Sequence, residues 1–323
     1  MSTTIEAPVA PAPVKRSLTD MIPGLASRKK DAATLGLPGL IVLQGEAKIG
    51  KTFTLAGILK VPAYRNSRIL FLDFEDGAMT LSNDPQFQAA AESGQVSIFT
   101  IDPTDTVESY NLICSLLGYK DERGRPVKGA LFSEHLSEEE RFDIIMIDSF
   151  DVMQKIVHDY LDMTTLSSDG LKTDKLGAYG KLAPATKDIL WTLKMWNGLG
   201  IVISHVQEKN DAKTGLPKLT MKLDGSARDD APSIPDIIVN LSRRNDEAGT
   251  SHLVGDMSGD ESMLVGNRLF HNEPVWDFSL PRLYQIINGK INQTQQKIAA
   301  VRGTAQKTAA PVAVETETAA DAA

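Results

Sequence analysis

Short apolar runs of strand length punctuate the middle of the chain: Gly39–Gln44, Arg68–Asp73, Gln95–Ile101, Phe142–Asp148, Gly200–Ser204 and Asp236–Leu241. Their near-continuous apolar character is what strands buried on both faces require. Helical stretches are predicted between them, at Phe53–Lys60, Gln86–Ala91 and Thr106–Leu117, and a further helix from about Ser149. Ile189, Leu190, Leu193 and Trp196 then mark one face of another helix. The charged stretch Lys120–Glu140, with Gly124 and Pro126, predicts a surface insertion. Strands alternating with helices imply an α/β fold: a mainly parallel sheet covered by helices on both faces. Ser251–Val254 and Ser262–Val265 are expected as hairpin strands at a C-terminal edge. No internal repeat is evident.

Composition changes toward both ends. Residues 1–15 are rich in Ala, Pro and Thr and predict a disordered tail. Residues 16–297 form the expected single domain, opening with a possible short helix at Thr19 and the basic cluster Arg28–Lys30. Residues 298–323 read as a low-complexity tail carrying Glu315, Glu317 and Asp321. A net charge of −8 argues against coating nucleic acid by bulk charge, while leaving a local basic groove open. The single cysteine, Cys114, excludes an internal disulfide and fits a reducing cytoplasm, the expected location. It lies in the apolar run Leu112–Leu117 and reads as a buried structural thiol. The five histidines lack metal-ligand spacing. No apolar run reaches membrane-spanning length, and the N-terminus lacks a signal pattern, so no membrane association is expected.

Candidate chemistry centres on Gly45-Glu46-Ala47-Lys48-Ile49-Gly50-Lys51-Thr52, which fits G-x-x-x-x-G-K-[ST]. A predicted strand precedes it and a helix beginning near Phe53 follows. Such a loop curls its N–H groups around phosphate at the positive end of a helix. Lys51 is expected to reach the β- and γ-phosphates of ATP, and Thr52 to hold Mg²⁺. Ligands of open parallel sheets bind beyond the carboxyl ends of the strands, so the residues closing each strand are the next candidates. Asp148 could hold Mg²⁺ beside Thr52, or simply cap the following helix. Glu75, after the second strand, could orient an attacking water, or belong to an ordinary Glu-Asp-Gly turn. His205 could report the γ-phosphate to the next loop, or merely end its strand.

Taken together, Gly45–Thr52, Leu72-Asp-Phe-Glu75, Ile145-Met-Ile-Asp148-Ser149 and Val202-Ile-Ser-His205 resemble the RecA-like branch of P-loop ATPases, with RecA, RadA, KaiC and the DnaB-type helicases. In that branch the catalytic glutamate follows the second strand, as Glu75 does, instead of adjoining the Walker B aspartate as in ordinary AAA+ proteins. The resemblance implies a RecA-like P-loop NTPase fold over about Pro38 to Leu283. It gives Glu75 the catalytic role and His205 a nucleotide-sensing position where RecA has glutamine. Val265-Gly-Asn-Arg268 resembles the strand that supplies a trans-acting finger in ring-forming relatives. Gly266 replaces its lysine, so only Arg268 carries over, with a plain surface arginine as the alternative. A finger from a neighbour implies a homo-oligomer.

RecA-like proteins bind single-stranded DNA through two loops, here expected at Asp162–Lys187 and Gln207–Pro235. The first contains Gly170, Lys172, Lys175, Gly177, Tyr179, Gly180 and Lys181. The second carries Lys209, Lys213, Lys218, Lys222 and Arg228. Glycine, lysine and an aromatic suit a path along a phosphate backbone, although the same composition serves solvated loops. A core with low-complexity tails looks most like phage-encoded recombination ATPases that act with a single-strand DNA-binding protein and promote annealing. The expected function is therefore slow, DNA-stimulated ATP hydrolysis in recombination or strand annealing. The rivals are a ring-forming helicase or replication ATPase of the same fold, a DNA-independent regulatory or assembly switch, and a small-molecule kinase. The Glu75 placement and the lack of an arginine-rich lid argue against the kinase.

Overall fold

Alternating side chains explain the continuous apolar runs. In the computed structural model, Ile41, Leu43, Ile69, Phe71, Ile144, Met146, Ile201 and Ile203 face one core layer. Their neighbours Leu40, Val42, Leu70, Leu72, Ile145, Ile147 and Val202 face the other. Both faces of the sheet are therefore buried, and successive strand residues supply opposite layers. The structure describes residues 37, 39–120, 125–133, 135–166, 173–210, 215, 217–258, 265–267 and 273–289. Both predicted tails lie outside them.

The strands are β1 Leu40–Gly45, β2 Ile69–Asp73, β3 Val96–Thr100, β4 Gly118–Lys120, β5 Pro126–Lys128, β6 Ile144–Asp148, β7 Leu199–Asn210, β8 Pro217–Met221, β9 Ile237–Asn245, β10 Ser251–Asp256, β11 Gly266–Asn267 and β12 Val275–Trp276. The main sheet runs β12-β10-β9-β1-β7-β6-β2-β3. From β9 to β3 all neighbours are parallel. β10, β11 and β12 pair antiparallel at the other side, giving the expected edge. Of the predicted strand Ser262–Val265, residues 262–264 lie outside the described residues. The expected surface insertion carries β5, which pairs antiparallel with β4 at the insertion's N-terminal boundary.

One layer is formed by α1 Lys51–Ala56, which tightens into a 3₁₀ turn at Gly57–Lys60, with α2 Ala78–Leu81, α3 Pro85–Glu92 and the helix at 280–289, called α8. The other contains α4 Thr106–Leu117, α5 Phe150–Thr164, α6 Lys175–Met195 and the short α7 Ala227–Asp230. Cys114, on α4, is half-buried, and burial pushes its thiol pKa up.

Helix α6 corrects the sequence reading, in which the RecA-like resemblance placed a loop over Asp162–Lys187 and so over the helix's first half. Asp174 caps it by accepting from the Gly177 N–H at 3.0 Å. Pro184 sits inside it, where a proline costs about 3 kcal/mol. Ala178, Leu182, Leu190 and Leu193 are fully buried along the same helix. At about 1.5–3 kcal/mol for each large side chain, that burial outweighs the proline.

Gly255 on β10 shows how tightly the antiparallel edge is packed. A Cβ at this position would stand 2.3 Å from Phe278 Cδ2. Gly255→Ala is therefore expected to destabilise the protein by about 1–3 kcal/mol through overpacking. The check is a lower urea midpoint at unchanged slope. An unaltered midpoint would show that Phe278 can move aside freely.

Candidate nucleotide site

β7 separates the strand that carries the glycine loop from the strand that ends in Asp148. Register sets Gly45 beside His205, and Asp73 beside Asp148. The carboxyl ends of β1, β7, β6 and β2 thus open onto one crevice, the place where such sheets take ligands.

Glu46, Ala47 and Lys48 form an exposed loop after β1. Gly50 closes it with φ of 107°, a left-handed conformation that glycine adopts without a Cβ clash. Lys51 opens α1 and folds back over the loop, its Nζ donating to Gly45 O at 2.9 Å and to Glu46 O at 2.7 Å. Burial pushes its ammonium pKa down, while Asp148, Asp151, Glu75 and Glu46 pull it up. Phe53, which follows Thr52 and completes the set of residues expected to line the nucleotide, is 53% exposed.

Thr52 Oγ1 donates to Asp148 Oδ2 at 2.5 Å. Asp148 is only 2% exposed. Burial raises its pKa to about 6, against the Thr52 hydrogen bond; Glu75 and Asp73 push it further up and Lys51 pulls it down. A Cβ on Gly77 would lie 3.1 Å from Asp148 Oδ2 and 3.6 Å from Thr52 Oγ1, so the missing side chain leaves room beside this pair. A carboxylate and a hydroxyl are hard oxygen donors of the kind Mg²⁺ takes, with water and substrate phosphate completing its shell. A cation here would relieve the charge that burial penalises.

The raised pKa fixes a pH dependence. Asp148 holds its proton more tightly folded than unfolded, where the ordinary value is 3.8. Its contribution to metal-free stability is fully present below about pH 3.8, shrinks as pH rises, and is lost above about pH 6, by an amount on the order of 3 kcal/mol. Mg²⁺ competes with that proton, so stabilisation by Mg²⁺ should be small at pH 5 and larger at pH 7. Thermal melts with and without Mg²⁺ check this, and Asp148→Asn should flatten the difference.

Asp73 is fully buried at the end of β2. Its carboxylate accepts from the N–H groups of Glu75, Gly77 and Ala78 at 3.1, 2.9 and 2.8 Å. This turn presents Glu75, whose Oε1 accepts from Ser149 Oγ at 2.5 Å. The Asp148–Ser149 peptide is cis. Phe74 N donates to Asp148 O at 2.6 Å, joining the ends of β2 and β6. His205 Nδ1 lies 3.0 Å from Asp151 Oδ2 and 3.6 Å from Glu75 Oε1.

Lys51, Thr52, Glu75, Asp148 and His205 are thus gathered at one set of strand ends, whereas Arg268 lies outside the described residues. Sequence reasoning missed Asp73, Gly77, Ser149 and Asp151. A strand-terminal Asp four residues before a Gly could have suggested the turn. For Asp151 the signal was only a carboxylate three residues past Asp148.

The expected DNA loops also change shape. Asp162–Thr164 belong to α5 and Lys175–Lys187 to α6, leaving 165–174 as the connection, of which 167–172, with Gly170 and Lys172, lie outside the described residues. The second region opens as a β arm, in which β7 runs on past the sheet and β8 pairs with it antiparallel, and it closes on α7. Lys213 lies outside the described residues. Lys209 pairs with Asp229, and Lys187 with Asp230 at 2.9 Å.

Residues 39–269 match a family model described as an AAA domain. No curated protein matches the chain. Among the described residues, no helix is long and apolar enough to cross a membrane.

Proposed function

The chain belongs to the AAA-domain family of P-loop ATPases, and from that premise we propose that it is a RecA-like member that hydrolyses ATP and couples the cycle to single-stranded DNA in recombination or annealing. The observation that carries the ATPase reading is the Thr52–Asp148 contact at 2.5 Å at the root of the glycine loop, with Glu75 on the adjoining strand end. In this reading the backbone of Gly45–Gly50 cradles the phosphates and Lys51 neutralises them. Thr52 and Asp148 hold Mg²⁺, which offsets phosphate charge when bound. Glu75 orients water and accepts its proton. The RecA-like assignment rests on the separation of Glu75 from Asp148, each at the end of its own strand.

The DNA reading is supported by the β7–β8 arm, which carries Lys209, Lys218 and Lys222 directly from the strand that holds His205. A homo-oligomer, a trans-acting Arg268 and a single-strand DNA-binding protein as partner belong to the same proposal. The ion pairs Lys209–Asp229 and Lys187–Asp230 favour a second reading. With those lysines neutralised within the chain, ATP would drive assembly without DNA. Hydrolysis measured with and without single-stranded DNA decides between them. Stimulation supports the recombination reading; an unchanged rate, with no DNA retained in the presence of ATP, supports the switch.

A further inference from the structure

We propose that Asp151 is a positioning residue that sets the state of Glu75 through His205, an inference that rests on the ATPase reading above. Asp151 stands in the first turn of α5 and is 9% exposed. Its Oδ1 accepts the backbone N–H of His205 and its Oδ2 lies against the ring Nδ1, both at 3.0 Å. Burial pushes the Asp151 pKa up, but these hydrogen bonds outweigh it and hold the carboxyl below its ordinary value. An ionised carboxylate is acceptor-only, so Nδ1 must carry the proton and donate it.

The same Nδ1 is 3.6 Å from Glu75 Oε1, beyond hydrogen-bond range. Two carboxylates therefore compete for one N–H, and Asp151 holds it. With the imidazole engaged by Asp151, Glu75 accepts its hydrogen bond from Ser149 Oγ instead. A ring that turned to Glu75 would donate to it and weaken it as a base. Asp151 thus keeps His205 off the glutamate.

The arm enters through the same two residues. His205 O accepts from Lys222 N at 2.8 Å, and Lys222 Nζ lies 4.0 Å from Asp151 Oδ2. Lys222 is 59% exposed along its side chain. A phosphate bound by Lys222 would draw it from Asp151, so an anion on the arm is registered at the carboxylate that governs His205.

The test is a double-mutant cycle on the full chain, reading kcat and ATP affinity separately. Asp151→Asn, which offers Nδ1 an amide in place of a charge, should lower kcat about tenfold with ATP affinity within about twofold. Asp151→Glu should restore part of the loss. In a His205→Ala background, Asp151→Asn should have no further effect, because it acts only through the ring. An equal loss in both backgrounds, or a fall in affinity matching the fall in kcat, overturns the proposal and leaves Asp151 a structural residue. A wild-type chain that hydrolyses no ATP instead overturns the ATPase reading, and this inference falls with it. Active wild type with unaffected Asp151→Asn overturns the inference alone.

Discussion

Lys51→Ala abolishes ATP turnover in the expected outcome, lowering kcat/KM by at least about a thousandfold. Two losses combine. The ammonium that would meet the β- and γ-phosphates disappears, and so do its hydrogen bonds to the carbonyls of Gly45 and Glu46. Those carbonyls point into a loop whose purpose is to receive anions, and without Lys51 their negative ends are uncompensated. The fold itself should survive, because the side chain lies over a surface loop while the strand core beneath is apolar. Circular dichroism and the melting temperature without nucleotide are the controls. Lys51→Arg should not rescue, since a planar guanidinium cannot occupy the place of a compact ammonium. Turnover that persisted in Lys51→Ala would mean that phosphate binds elsewhere.

Glu75→Gln carries the second large effect, of the opposite kind. The glutamine oxygen can still accept from Ser149 Oγ, as Glu75 does at 2.5 Å, and Asp73 still ties the turn by its backbone. Geometry is therefore preserved while the capacity to take a proton is lost. Hydrolysis should fall about a hundredfold to ten-thousandfold, with ATP binding nearly unchanged. Fluorescent-nucleotide titration beside steady-state turnover separates the two quantities. Loss of binding in proportion to loss of turnover would assign Glu75 to the turn's architecture.

The glycine loop and Asp148 were legible because their motif is contiguous and lies on strands whose uninterrupted apolar runs announce double burial. The parallel α/β sheet followed from the same runs. Helix α6 was illegible in its first half because glycine and proline act as local breakers, whereas Leu182, Leu190 and Leu193 act through tertiary burial. The arm was missed for a related reason: beyond His205, β7 has lost its apolar signal, since its residues there pair only with β8 and are partly exposed. Asp73 and Asp151 were hidden because their roles depend on hydrogen bonds to Gly77 and His205, which no spacing rule connects.

The strand order has a consequence for how the protein comes into being. β1 leads the folded core in sequence, yet both of its neighbours arrive late, since Leu40 pairs with Gly200 and Ile41 with Ile237. On the ribosome the glycine loop therefore emerges on an apolar strand that has nothing to pair with until most of the domain has been made. Such distant pairings make folding slow and leave apolar segments open to misassembly meanwhile. An N-terminal fragment ending before β7 would hold the whole glycine-loop motif and yet have no crevice for it to close.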